Sequence, residues 1–130
     1  MFDHLSIGVA DLAKSLSFYD AALKPLGVSQ MFAMSDRGIA AYVGADQISF
    51  WLYSKDAQQQ ALGDFPSPPR FHLAFRAIDR AAVDAFYKAA IDHGGKDEGP
   101  PGIRAHYHPN YYAAYVRDLD GYKIEAVCQK

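Results

Sequence analysis

Hydrophobic and polar residues alternate from His4 to Val9, with Leu5, Ile7 and Val9 interleaved between His4, Ser6 and Gly8, and this two-residue period predicts a β-strand. Asp11 follows as the N-cap of a helix whose apolar stripe is Leu12, Leu16, Tyr19 and Leu23, stopped by Pro25 and Gly27. Three more strands are expected near 28–33, 38–43 and 47–53. The same order then returns. A strand is predicted over 71–77, Asp79 is the next N-cap, Val83, Phe86, Tyr87, Ala90 and Ile91 form the stripe, and Gly94-Gly95 ends the helix. Later strands are expected near 103–107, 112–117 and 122–128. His93, at the helix end, reads as a C-terminal capping residue.

The two series are copies. Displacing the sequence by 68 positions lays His4-Leu5 on His72-Leu73, Asp11 on Asp79, Ala13 on Ala81 and Phe18-Tyr19 on Phe86-Tyr87, with six of sixteen positions from His4 identical. The expected fold is α+β: two βαβββ modules, near 1–53 and 70–130, forming one domain of 130 residues. Pieces of about 60 residues are marginal alone, so each module needs the other. The stretch 54–69, with Gln58-Gln59-Gln60, Pro66, Pro68 and Pro69, reads as a linker.

Strand parity assigns faces. Leu5, Ile7 and Val9 should meet the first helix, leaving His4 on the other side, beside Ser6 and Gly8. By the same rule Leu73, Phe75 and Ala77 leave His72 opposite, and Ile124, Ala126 and Cys128 leave Glu125 opposite with Lys123 and Val127. Two imidazoles and a carboxylate that all avoid the helix layer are a usual set for a divalent metal with open positions for water or substrate. Taken singly, each also fits a hydrogen-bonded or solvated structural residue. The repeat and the shared face favour the joint site.

Composition changes the picture mainly by exclusion. Half the residues are hydrophobic and the net charge is −2, which gives an ordered core and no electrostatic footprint for nucleic acid or an anionic membrane. The expected partner is a small molecule. No apolar run reaches the ~18 residues that span a bilayer, and the single cysteine, Cys128, fits a cytoplasmic setting.

The segments 3–11 with Ser17-Phe18-Tyr19, Phe71-His72-Leu73-Ala74-Phe75, and 117–125 (Arg-Asp-Leu-Asp-Gly-Tyr-Lys-Ile-Glu) resemble those of the vicinal oxygen chelate superfamily, which includes glyoxalase I, extradiol dioxygenases, fosfomycin-resistance thiol transferases and bleomycin-resistance proteins. The last segment looks like the family's Asp-Pro-Asp-Gly turn before a glutamate ligand, with Leu119 in place of the proline. The resemblance covers essentially the whole chain. It implies paired βαβββ modules with mixed sheets curled around a cavity, a divalent ion (Zn, Ni, Co, Mn or Fe) on His4, His72 and Glu125, and, for members of this size, a homodimer, with the site completed either within one chain or across the two.

Departures from the family separate its activities. Glyoxalase I usually has a further glutamate ligand in the last strand of the first module, where this chain has Ser49, which supplies neither a carboxylate nor a base. Basic residues that hold a phosphonate after the last strand have little room, since only 126–130 follow the glutamate. Extradiol dioxygenases use two histidines and a glutamate for iron(II), with a tyrosine ten residues before the glutamate, matched by Tyr115, and a histidine nine further back, matched by His106; their histidine shortly before the second ligand is missing.

Two further groups complete the candidate site. His106 and His108 are expected on one strand face, followed by Tyr111 and Tyr112, so that imidazole and phenol groups face a cavity; Tyr112 fits packing better. Trp51 and Tyr53 share the face of Ser49 and read as an aromatic wall. The roles expected are Tyr115 or His106 as hydrogen-bond donor or proton relay, and Trp51, Tyr53, His108 and Tyr111 as substrate contacts. The favoured function is a metal-dependent lyase or isomerase of glyoxalase type acting on a small oxygen-bearing substrate. The alternatives are an iron(II) extradiol dioxygenase and a metal-free binding protein of bleomycin-resistance type.

Overall fold

Asp11 and Asp79 do what their positions in the repeat predict. Each side chain accepts a hydrogen bond from the backbone N–H three residues on, Lys14 at 3.1 Å and Ala82 at 2.8 Å, and so satisfies a donor that the first helical turn leaves unpaired. In the computed structural model, which describes residues 2–54 and 71–130, these caps start α1 (Leu12–Leu23) and α2 (Arg80–Asp92). The proposed linker, Ser54 apart, lies outside the described residues. His93 caps α2 as expected, its Nδ1–H donating to the Ala89 carbonyl at 2.8 Å.

The strands are β1 (His4–Val9), β2 (Ser29–Met34), β3 (Ile39–Val43), β4 (Ser49–Ser54), β5 (His72–Arg76), β6 (Lys96–Ile103), β7 (Tyr112–Arg117) and β8 (Lys123–Cys128). They form two four-stranded mixed sheets of identical plan, ordered β1-β4-β3-β2 and β5-β8-β7-β6, with β1 parallel to β4 and β5 parallel to β8. The fold is the expected pair of βαβββ modules, and neither sheet closes into a barrel. In each module the histidine-bearing strand is a sheet edge.

Three sequence expectations need correction. The strand expected at 103–107 runs instead from Lys96 to Ile103, and Ala105, His106 and Tyr107 form a turn. β6 runs through Gly99-Pro100-Pro101-Gly102 as an edge strand whose pairing with β7 shifts register twice, and prolines are tolerated where no ladder donor is required. His106 and His108 therefore do not share a strand face. Leu5, expected under α1, is instead 36% exposed, while Ile7 and Val9 on the same side are buried.

One apolar core serves both modules. It contains Ile7, Val9, Phe18, Tyr19, Leu23 and Leu52 from the first and Leu73, Val83, Phe86, Val116, Ile124 and Cys128 from the second. The helices α1 and α2 pack on each other, and Phe50 meets Phe75 edge-on at 5.6 Å. Polar contacts reinforce the junction: the Tyr19 hydroxyl donates to buried Asp118 Oδ2 at 2.5 Å, and Ala10 N–H donates to Asp120 Oδ1 at 2.8 Å. Burial and the Asp118 charge together hold the Tyr19 phenol well above its usual range. Asp118 Oδ1 also accepts from the N–H groups of Asp120 and Tyr122, which shapes the turn that delivers β8.

Candidate metal centre

Side-chain parity in β8 splits its residues between two environments. Ile124, Ala126 and Cys128 enter the helix-side core, whereas Val127 packs with Ala113, Tyr115 and Tyr111 in a separate cluster on the opposite face. Glu125 belongs to that second face and is only 1% exposed. Its register partners are Ala74 on β5 and Tyr115 on β7. The small Ala74 leaves space above the sheet, and His72 leans across it to bring Nε2 within 3.1 Å of Glu125 Oε2. The other carboxylate oxygen accepts from the Tyr111 hydroxyl at 2.6 Å.

The electrostatics of this group are one-sided. Among the described residues no lysine or arginine forms an ion pair with Glu125, so the buried carboxylate has tyrosine phenols and an imidazole as its neighbours. Burial, then the adjacent carboxylate, raises the Tyr111 phenol far above its usual value and pushes Tyr115 up to about 12. Both tyrosines are thus hydrogen-bond donors at neutral pH. His72 remains accessible, with 44% of its side chain exposed.

The first module presents the equivalent position differently. His4 is exposed on β1, and its Nδ1 lies 2.7 Å from Asp3 Oδ1. A carboxylate only accepts, so Nδ1 is the donor in this contact, and a carboxylate on one ring nitrogen is the kind of partner that orients a metal-binding imidazole. The register corrects the expected equivalence of Ser49 with Glu125: His4 pairs with Ser49 as His72 pairs with Lys123, and Ser6 pairs with Trp51 as Ala74 pairs with Glu125, so Trp51 holds the β4 position that corresponds to Glu125. Ser49 accepts from the Trp51 indole at 2.8 Å. Trp51 stacks on Tyr53 at 6.1 Å and meets Phe32 edge-on at 5.3 Å, so the expected wall residues pack on one another on the first sheet. Among the described residues no three His, Cys, Asp or Glu side chains gather closely enough to hold a metal. The structure therefore brings His72 and Glu125 together, and His4 does not join them within the chain.

The remaining candidates divide. Tyr111 and Tyr115 adjoin Glu125. His106 lies against Tyr107 with ring centroids 4.1 Å apart and planes tilted by 48°, and Tyr107 in turn contacts Tyr111 at 5.1 Å, which places the His106 turn at the rim. His108 accepts from the Asn110 N–H at 3.1 Å and braces that turn. Tyr112 packs on the helix side and donates to Asp84 at 2.7 Å. A cleft of about 680 Å³ runs along β5, lined by His72, Ala74 and Arg76 together with Phe2, Leu5, Ser49 and Phe71. The exposure of Leu5 follows from its place in this cleft.

A family model described as Glyoxalase/Bleomycin resistance protein/Dioxygenase superfamily matches residues 1–126. The chain belongs to this superfamily. A glyoxalase/bleomycin resistance protein from Albidiferax ferrireducens T118 is 35% identical, with 98% of each chain covered and a TM-score of 0.82. The same glyoxalase-like fold is seen in a glyoxalase-related enzyme from Fulvimarina pelagi, 21% identical, covering 98% of this chain and 86% of that one at a TM-score of 0.75. A glyoxalase/dioxygenase from Nostoc punctiforme is 20% identical, covering 100% and 91% at 0.70. No curated protein matches the chain significantly. Among the described residues, no helix of this superfamily member is long and apolar enough to cross a membrane.

Two contributors escaped the sequence reading. Arg104 and Lys123 both rest on the Tyr115 ring, 5.5 and 4.5 Å from its centroid. The parity that placed Lys123 beside Glu125 was a usable signal, but the Arg104 contact depends on the turn that replaced the expected strand.

Proposed function

We propose that the protein is a divalent-metal-dependent enzyme of the glyoxalase/dioxygenase type, with lyase- or isomerase-like chemistry on a small oxygen-bearing substrate. The observation that carries this reading is the buried Glu125 carboxylate, without a cationic side-chain partner among the described residues, facing the accessible imidazole of His72. A buried carboxylate is costly unless a positive charge compensates it, and a nitrogen donor beside it is the chemistry that a divalent cation satisfies.

His72 and Glu125 would supply two ligands and His4 a third. Since, among the described residues, His4 does not join the pair within one chain and β1 and β5 are sheet-edge strands, the third ligand would come from a second copy in a homodimer. A bound divalent ion would act as a Lewis acid toward neighbouring substrate oxygens. Tyr111 holds the Glu125 carboxylate in place, and Tyr115, protonated beside it, donates a hydrogen bond to negative charge developing on substrate oxygen. The cleft beside His72 accommodates the substrate body, with its apolar lining excluding water.

An extradiol dioxygenase is the second reading. It is favoured by the register pairing of Tyr115 with Glu125 and by Trp51, which stands at the β4 position corresponding to Glu125 and offers no base for moving a proton between carbons. The test is activity after loading with single metals. Isomerisation or lyase activity with nickel, cobalt or zinc and no oxygen uptake supports the first reading; oxygen consumption with a catechol on iron(II) or manganese supports the second. Failure to bind any of these ions contradicts both and leaves a ligand-binding protein.

A further inference from the structure

The sheet face that carries Glu125 is locally cationic in a chain whose net charge is −2. Register sets His72, Lys123 and Arg117 side by side across β5, β8 and β7. Arg117 is neutralised, its Nε donating to Glu98 at 2.6 Å and its Nη1 to the Gly121 carbonyl at 3.0 Å. Lys123 and Arg104 have no carboxylate partner among the described residues. Both instead lie over one ring, that of Tyr115, which is the register partner of Glu125.

The Arg104 position is built rather than incidental. Its Nη2 donates to the Pro100 carbonyl at 2.6 Å. A Cβ at Gly99 would come within 3.3 Å of Nη2 and one at Gly102 within 3.0 Å of Nη1, so the guanidinium occupies space that two glycines leave. Gly99 also has φ +155°, in the region that favours glycine. Ring, carbonyl and glycines together fix a guanidinium that spends one donor on the protein and retains others for a ligand. Like charges converging on one aromatic ring repel unless an anion joins them.

We propose that the substrate is a small organic acid, whose carboxylate binds to Arg104 and Lys123 beside Tyr115 while its neighbouring oxygens reach the His72–Glu125 pair. This rests on the metal-site reading and adds the substrate class to it. A preformed guanidinium suits the planar, bidentate geometry of a carboxylate, and the ammonium adds charge without demanding orientation. The exposed His72 side chain and the cleft along β5 leave the approach open.

The test is calorimetric titration with catechol and protocatechuate, which share vicinal oxygens and differ by one carboxylate. Wild type, Arg104→Gln, Lys123→Gln and the double variant are compared, with and without added zinc, at low and high salt. Wild type is expected to bind protocatechuate about tenfold or more tightly, each single variant to lose most of that preference, and added salt to erode it. Lys123→Gln carries the test if Arg104→Gln fails to fold. Equal affinities for the two compounds in wild type, no detectable protocatechuate binding at millimolar concentration, or a preference retained in the double variant overturns the proposal. Metal content, measured on the same samples by mass spectrometry, reports separately on the metal-site reading: a carboxylate preference without metal separates the two.

Discussion

His72 and Glu125 meet diagonally across two parallel strands, Nε2 to Oε2 at 3.1 Å, although the register sets His72 opposite Lys123 and Glu125 opposite Ala74. The small side chain at Ala74 permits the diagonal. The imidazole nitrogen and the carboxylate oxygen are both metal-ligand types, so a divalent ion held by the two groups would replace their direct contact. The pair is assembled by parity on neighbouring strands and by the turn that delivers β8.

The phenol of Tyr111 is the carboxylate's other partner. Tyr111→Phe removes a 2.6 Å hydrogen bond and leaves a buried acceptor unsatisfied. The expected loss of stability is about 1–3 kcal/mol, read by urea denaturation, together with a roughly 10–100-fold weaker metal affinity, read by competition with a chelator. Unchanged affinity would show that Tyr111 does not position Glu125.

Asp118 gives a pH prediction with a definite sign. Burial raises its pKa above the ordinary 3.8, against the opposing hydrogen bonds from Tyr19, Tyr122 and Asp120. A raised pKa means that the folded chain holds the proton more tightly than the unfolded one, so this contribution is complete below 3.8 and is lost as pH rises through the folded value. The stability of wild type relative to Asp118→Asn should therefore be greatest in acid and decline toward neutral pH. Denaturant titrations of both proteins across that range check it, and a difference that grows with pH would contradict it.

Much of this architecture is legible locally. Asp11 and Asp79 announce their helices because capping is a three-residue interaction, and β7 appears where 112–117 was expected because its pattern is uninterrupted. The face shared by His72 and Glu125 follows from parity alone. β6 was not legible, since an edge strand through Gly99-Pro100-Pro101-Gly102 carries no alternation and its existence depends on pairing with β7. The Tyr19–Asp118 bond was hidden for a similar reason: 99 residues separate its ends, and nothing local to either announces the other. Whether His4 joins the pair is decided by which sheet edges meet in an assembly, and no strand-level pattern encodes that.

Gly99 has a fixed cost of replacement. With φ +155° and a Cβ that would lie 3.0 Å from Tyr115 Cδ2, Gly99→Ala forces the ring or β6 to move. A loss of about 1–3 kcal/mol is expected, measured by thermal and urea unfolding. A neutral substitution would show that the β6 bulge relaxes freely and does not fix the Tyr115 ring.

Sites shared between chains can be distinguished from sites within one chain by complementation. His4→Ala and His72→Ala homodimers should each bind no metal. A heterodimer of the two, isolated with two different affinity tags, should regain one intact site and bind about one metal ion per dimer. No recovery in the heterodimer would contradict a site that draws His4 from the second copy.

The most direct measurement is metal stoichiometry by mass spectrometry on untagged protein purified without chelator, beside His72→Ala and Glu125→Gln. The account predicts close to one divalent ion per chain in wild type and its loss in both variants. Wild-type protein that holds no metal after loading with zinc, nickel, cobalt, manganese and iron(II), or variants that keep it, would contradict the account.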